Sequence, residues 1–73
     1  MVTRENISTS DNRVCVNFEG KKIQFVIWDL EESMVEDAET QLMTAFNICP
    51  NFDEIEKHMK INGYDCVLED IYE

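Results

Sequence analysis

Asp29-Leu-Glu-Glu-Ser-Met-Val-Glu-Asp-Ala-Glu-Thr-Gln-Leu-Met-Thr-Ala-Phe46 holds the clearest helix signal in the chain and its densest run of negative charge. Ser33 followed three residues later by Glu36 reads as a capping box, the hydroxyl accepting from the Glu36 amide while the carboxylate reaches back to Ser33. Val35, Ala38, Leu42, Ala45 and Phe46 recur at helical period and mark one apolar face. Along one edge of that face Glu32, Glu36 and Glu39 follow at spacings of four and three, which aligns three carboxylates on a helix surface.

Upstream the period changes from helical to alternating. Over Arg13 to Glu19, Val14, Val16 and Phe18 point one way and Cys15 and Asn17 the other. Gly20 with Lys21 marks a tight turn, and Lys22 to Trp28 resumes as a second strand. There Ile23, Phe25 and Ile27 share one face, and Gln24, Val26 and Trp28 the other. The pair is an antiparallel hairpin with one core side.

Downstream, Pro50 disfavours helical geometry at Cys49 and stops the acidic helix near Asn47. Asn51 followed by Glu54 starts a second helix, whose stripe is Phe52, Ile55 and Met59, and Asn62-Gly63 ends it. Tyr64 to Tyr72 reads as a third strand, with Tyr64, Cys66 and Leu68 on one side and Val67 and Ile71 on the other. The expected fold is a small α+β domain of order ββααβ, with both helices packed on one face of the sheet. Residues 13–73 form that domain. Residues 1–12, polar and rich in Ser, Thr and Asn, read as a flexible arm, or at best an edge strand around Val2 or Ile7. Unless the arm covers it, the sheet face carrying Val26 and Trp28 is an exposed apolar patch; the commoner outcome is that Trp28 packs under the arm or at the core margin.

Seventy-three residues bury only about 60% of their unfolded surface, so the core is small. An apolar fraction of 44% still argues for a folded chain. Charge is the outlier, with 16 acidic residues against 6 basic ones. From Ile23 to Glu56 there is no Lys or Arg, whereas Asp29, Glu31, Glu32, Glu36, Asp37, Glu39, Asp53, Glu54 and Glu56 all lie there. Nucleic acids and anionic membranes need a basic footprint and are poor partners for such a surface. A positively charged macromolecule is its complement.

Three scattered cysteines, no signal peptide and no membrane-length apolar run lead to the expectation of a reduced, cytoplasmic protein with free thiols. Catalytic signals are weak. Cys49 just ahead of a helix N-terminus could pair with His58 as a thiolate dyad, but nothing orients the pair or supplies an oxyanion site. Cys15, Cys49, Cys66 and His58 lack the short spacings of structural zinc sites, and the acidic runs lack the alternating oxygen ligands and central glycine of a calcium loop. Gly20 and Gly63, the only glycines, are both absorbed by turns, so no loop cradles a phosphate. The expectation is a protein without enzymatic activity, metal or cofactor.

The short domain, the capped helix bearing Glu31, Glu32, Glu36, Asp37 and Glu39, and the strand-and-helix layout resemble the small acidic anti-defence inhibitors encoded by bacteriophages. These are the anti-CRISPR and DNA-mimic anti-restriction proteins. The resemblance implies inhibition of a host nuclease complex by occupancy of its basic nucleic-acid-binding site, as a monomer or homodimer in the host cytoplasm. Asp29, Glu31, Glu32, Glu36, Asp37 and Glu39 would form the contact, extended by Asp53, Glu54 and Glu56 if the helices lie side by side. The alternative reading is a small regulatory or adaptor subunit that binds a protein through its apolar sheet face or a strand edge.

Overall fold

Val14 and Val16 on one strand, and Ile23, Phe25 and Ile27 on the next, are almost wholly removed from water. In the computed structural model, which describes residues 1–73, these strands are β2 (Arg13–Phe18) and β3 (Lys21–Trp28), paired antiparallel. The turn between them is Glu19-Gly20, one residue earlier than the Gly20-Lys21 turn read from the sequence, with both residues left-handed at φ 52° and 78°. Two left-handed residues match the right-handed twist of the strands they join, which is why this tight loop closes the hairpin. Beyond β3 come α1 (Val35–Ile48), α2 (Phe52–Ile61) and β4 (Asp65–Tyr72), and β4 pairs antiparallel with β3. The ββααβ order holds over this part of the chain.

Residues 1–12 add to it, joining the sheet rather than trailing as a flexible arm. A short 3₁₀ turn at Arg4–Asn6 leads into β1 (Ile7–Ser10), which pairs antiparallel with β2 and gives the sheet order β1-β2-β3-β4. Two apolar anchors account for the attachment: Val2 and Ile7 are both buried in the common core. The side chain of Asn47 on α1 brackets Val2, accepting from its N–H at 2.9 Å and donating to its carbonyl at 3.0 Å. Those bonds satisfy backbone groups that burial would otherwise strand.

Both helices cover the sheet face of Val14, Val16, Ile23, Phe25 and Ile27, with Ala38, Leu42, Ala45 and Phe46 of α1 and Ile55 and Met59 of α2 buried against it. All four phenylalanines meet at one end of this layer, Phe46 lying 5.3 Å from Phe18, 5.9 Å from Phe25 and 6.4 Å from Phe52 between ring centroids. The second helix is capped as its sequence predicts. Asn51 accepts from the Glu54 N–H at 2.9 Å. At the other end Gly63, at φ 91°, lets Tyr64 and Gly63 donate back to the Met59 and Lys60 carbonyls, a Schellman closure.

Three further readings of the sequence need correction. Ser33 does not cap the acidic helix: Glu32–Met34 form a 3₁₀ turn closed by the Met34 N–H on the Glu31 carbonyl, and α1 starts at Val35 without a side-chain cap. In β4, Phe25 pairs with Leu68 but Gln24 with Asp70, so Glu69 is an extra residue. This bulge inverts the alternation behind it. Ile71 therefore sits opposite Ile23 on the helix side, and Tyr72 joins Val67 on the other. Finally, β1 lies beside β2 rather than over the sheet, so no element packs on the second face: Trp28 is 56% exposed there, while Val26 is buried by its neighbours.

Candidate functional site

The carboxylates of the acidic run divide by neighbour. Thr9 of β1 donates to Glu39, and Arg4 lies 3.4 Å away on the same carboxylate, so Glu39 clips the N-terminal strand to α1. Asp37 accepts from the Tyr64 hydroxyl at 2.5 Å. Burial, and after it that carboxylate, push Tyr64 up to about 12. On α2, Glu56 accepts from the Leu68 N–H of β4 at 2.7 Å, and Glu54 pairs with Lys57 at 3.7 Å. These four acidic residues hold the fold together or are paired on its surface.

Asp29, Glu31, Glu32 and Glu36 differ. All are exposed, and none of their carboxylates makes an ion pair or a side-chain hydrogen bond. The row of Glu32, Glu36 and Glu39 does not persist as a row, since Glu32 stands in the 3₁₀ turn and Glu39 is engaged by β1. Asp53 and Glu54 do not extend the patch either. The two helices run antiparallel: Phe46 meets Phe52, Gln41 Oε1 lies 3.3 Å from His58 Nε2, and Asp37 meets Tyr64. The start of α2 therefore lies at the end of α1 remote from Glu32. From there a groove runs along α2 to the start of β4, lined by Asp53, Glu56, Lys57, Lys60 and Asp65, a surface of mixed sign.

Two acids that the sequence did not single out join the free group instead. The Ile27 N–H donates to the Asn12 carbonyl at 2.8 Å, which sets the β1–β2 turn against the end of β3 and brings Asp11 beside Asp29–Glu32. Asp65 pairs with Trp28 across the β3–β4 ladder and stands at the margin of this end, where it also lines the mixed-sign groove with Lys57 and Lys60. Asp11 and Asp29 both take left-handed geometry, at φ 55° and 59°, where Asp is one of the few tolerated residues. A cleft of about 500 Å³ opens between Asp11 and Glu32, lined also by Thr9, Asn12, Leu30 and Val35. The available signal was the Asp11-Asn12 pair itself, a turn dipeptide between two alternating stretches, which is recognisable once residues 7–10 are read as a strand.

Cys49 and His58 do not form a dyad. The Cys49 thiol donates to the Glu54 carbonyl at 3.6 Å, while His58 lies against Gln41. Burial, and then the Glu54 charge, push the Cys49 thiol up, away from thiolate. No three His, Cys, Asp or Glu side chains are grouped to hold a metal ion. No helix is long and apolar enough to cross a membrane.

The two sheet edges are unequal. β1 is four residues long, whereas β4 has eight. Along β4 the Leu68 N–H is taken by Glu56, and the Ile71 N–H by its neighbour Asp70 at 2.8 Å. With the bulge at Glu69, these engaged donors blunt the longer edge against an incoming strand.

No protein family, curated protein or solved structure matches this chain.

Proposed function

We propose that this protein is a non-enzymatic inhibitor that binds a basic, nucleic-acid-binding protein through the end of the molecule carrying Asp11, Asp29, Glu31 and Glu32, with Asp65 and Glu36 at its margin. The observation that supports this most strongly is the convergence there of carboxylates from separate segments, none of them paired within the fold. Self-repulsion among such groups works against folding, and a cationic partner relieves it. Groups fixed on two tight turns meet Lys and Arg side chains at a small ordering cost, in the place phosphates would take. Arg4 of the first 3₁₀ turn and Arg13 of β2 are engaged by Glu39 and Glu69 and leave the patch uncompensated. The target fitting this reading is the basic channel of a nuclease complex, blocked by occupancy.

The test is capture from bacterial lysate by the wild type beside a Glu31→Lys, Glu32→Lys, Glu36→Lys variant. These three side chains have no partner in the fold, so circular dichroism should be unchanged. The expected result is capture of a nucleic-acid-binding protein by the wild type alone, displaced by competing DNA and weakened about tenfold or more as salt rises from low to physiological levels. Equal capture by both proteins, insensitive to salt, would remove the acidic end from the mechanism.

A further inference from the structure

The sheet has a second face on which no helix or strand packs, although neighbouring side chains leave Val26 at its middle only 6% exposed. Register places Arg13, Cys15, Lys22, Gln24, Val26 and Trp28 there from the central strands, with Asp65, Val67, Asp70 and Tyr72 from β4. Val26 lies between Arg13 and Val67 in adjacent positions, and Trp28 is two residues along the same face, so the three apolar side chains are contiguous. Trp28, Val67 and Tyr72 remain 56%, 44% and 45% exposed. The other exposed aliphatic side chains within the folded elements stand apart, Ile48 and Ile61 at the ends of the two helices and Ile71 near the end of β4 on the helix side.

Charge selects the occupant of this face. Its basic residues are Arg13 and Lys22 and its acidic residues Asp65, Glu69 and Asp70, so nine of the ten net negative charges lie elsewhere. Glu69 is held within the face by Arg13 at 3.0 Å and by Gln24. Two copies of a chain this acidic repel each other through nearly every approach. This face brings together surfaces that are near neutral, of mixed sign and, unlike the groove of α2, apolar at one side around Trp28, while the carboxylates of the acidic end stay at the periphery. We infer that the open sheet face is a self-association surface, on which a second copy of this chain stacks sheet to sheet.

Size sets the strength of that contact. Four strands about 4.8 Å apart, of four to eight residues at about 3.3 Å rise, offer roughly 400 Å² of flat area per copy. Stable complexes bury about 800 Å² of accessible surface per partner, and side chains make accessible area larger than flat area. A whole-face contact is therefore at or below standard size. The dimer is reversible and concentration-dependent, with Trp28 and Val67, the exposed apolar side chains at one end of the face, as its anchors, since a Trp that loses its water on contact carries much of an interface's energy.

Salt gives it a signature opposite to that of the acidic end. Screening weakens the repulsion between two acidic copies, so dimerisation strengthens as salt rises, whereas capture of a basic partner weakens. Sedimentation of the full chain over the micromolar to millimolar range should show a mass rising from 8.6 kDa towards twice that value, at lower concentration in higher salt. Trp28 is the only tryptophan, so its emission should shift to the blue over the same range without any substitution. Val67→Asp places a charge beside it and should weaken dimerisation at least tenfold. If that variant loses its fold, the wild-type mass and emission decide by themselves. A constant 8.6 kDa mass at every concentration and salt level would overturn the inference. So would a rising mass with unchanged tryptophan emission, which would assign the contact to another face.

Discussion

Glu32 and Glu39 belong to one acidic run, yet their surroundings have little in common. Glu39 holds Thr9 and Arg4 and joins the first strand to the first helix; Glu32 faces an open cleft without a partner. The same division separates Asp37 and Glu56, each accepting a hydrogen bond from another element, from Asp29 and Glu31, which accept none. A carboxylate that completes a buried or half-buried donor stabilises the fold. One that only adds to the local negative field destabilises it slightly, and its presence calls for another account. The total of 16 acidic residues therefore overstates the surface available to a partner.

Substitutions should separate the two groups. The largest effect is expected at Glu39: Glu39→Ala leaves Thr9 and Arg4 without their acceptor and should lower stability by about 2 kcal/mol in urea unfolding. In a domain of this size that is a large share of the whole. A change under about 0.5 kcal/mol would return Glu39 to the free group. Next comes Glu56→Ala, expected to cost about 1 kcal/mol and to raise hydrogen exchange at the Leu68 amide, the donor it strands. Exchange unchanged at Leu68 would show that water replaces the carboxylate.

Tyr64→Phe should follow at about 1 kcal/mol, with a pH signature. Tyr64 moves from an ordinary 10 to about 12, and burial, then the charges of Glu56 and Asp65, push Cys66 up to about 12 as well. For groups raised in this way the neutral form is favoured by folding. Their stabilisation is complete below the unfolded values and is lost as pH rises through about 12. The wild type should therefore weaken on the alkaline side, and Tyr64→Phe should flatten that limb, leaving the Cys66 part. An alkaline limb unchanged by the substitution would separate Tyr64 from it. The smallest effects belong to Glu31→Gln and Glu32→Gln, each within about 0.5 kcal/mol and in the stabilising direction, because each removes a repelling charge. A loss above about 1 kcal/mol at either would reveal an engagement in the fold.

Much of the architecture can be read from local pattern. The alternation of Val14, Val16, Ile23, Phe25 and Ile27, the helical spacing of Ala38, Leu42, Ala45 and Phe46, and the Asn51 and Gly63 caps all act within a few residues. Where the reading departs from the structure, the cause is non-local. The first strand exists because Val2 and Ile7 reach a core built by residues far along the chain, and because Asn47 brackets Val2. The Ser33 cap is displaced by a 3₁₀ turn leading out of β3, and the Glu69 bulge is decided by pairing with β3.

The sequence by itself determined the fold class, the order of elements from Arg13 onward, the core face of each and the excess of negative charge, since period, caps and composition are properties of neighbouring residues. Only the tertiary structure decided which carboxylates are free. That depends on which turn lies against which: Asp11 reaches Asp29 through the Asn12–Ile27 hydrogen bond, Asp53 is carried to the far end by antiparallel helices, and Glu39 is claimed by a strand thirty residues before it. It also decided that one sheet face stays bare, because the first strand spent its hydrogen bonds on the edge of β2 instead of crossing over Trp28.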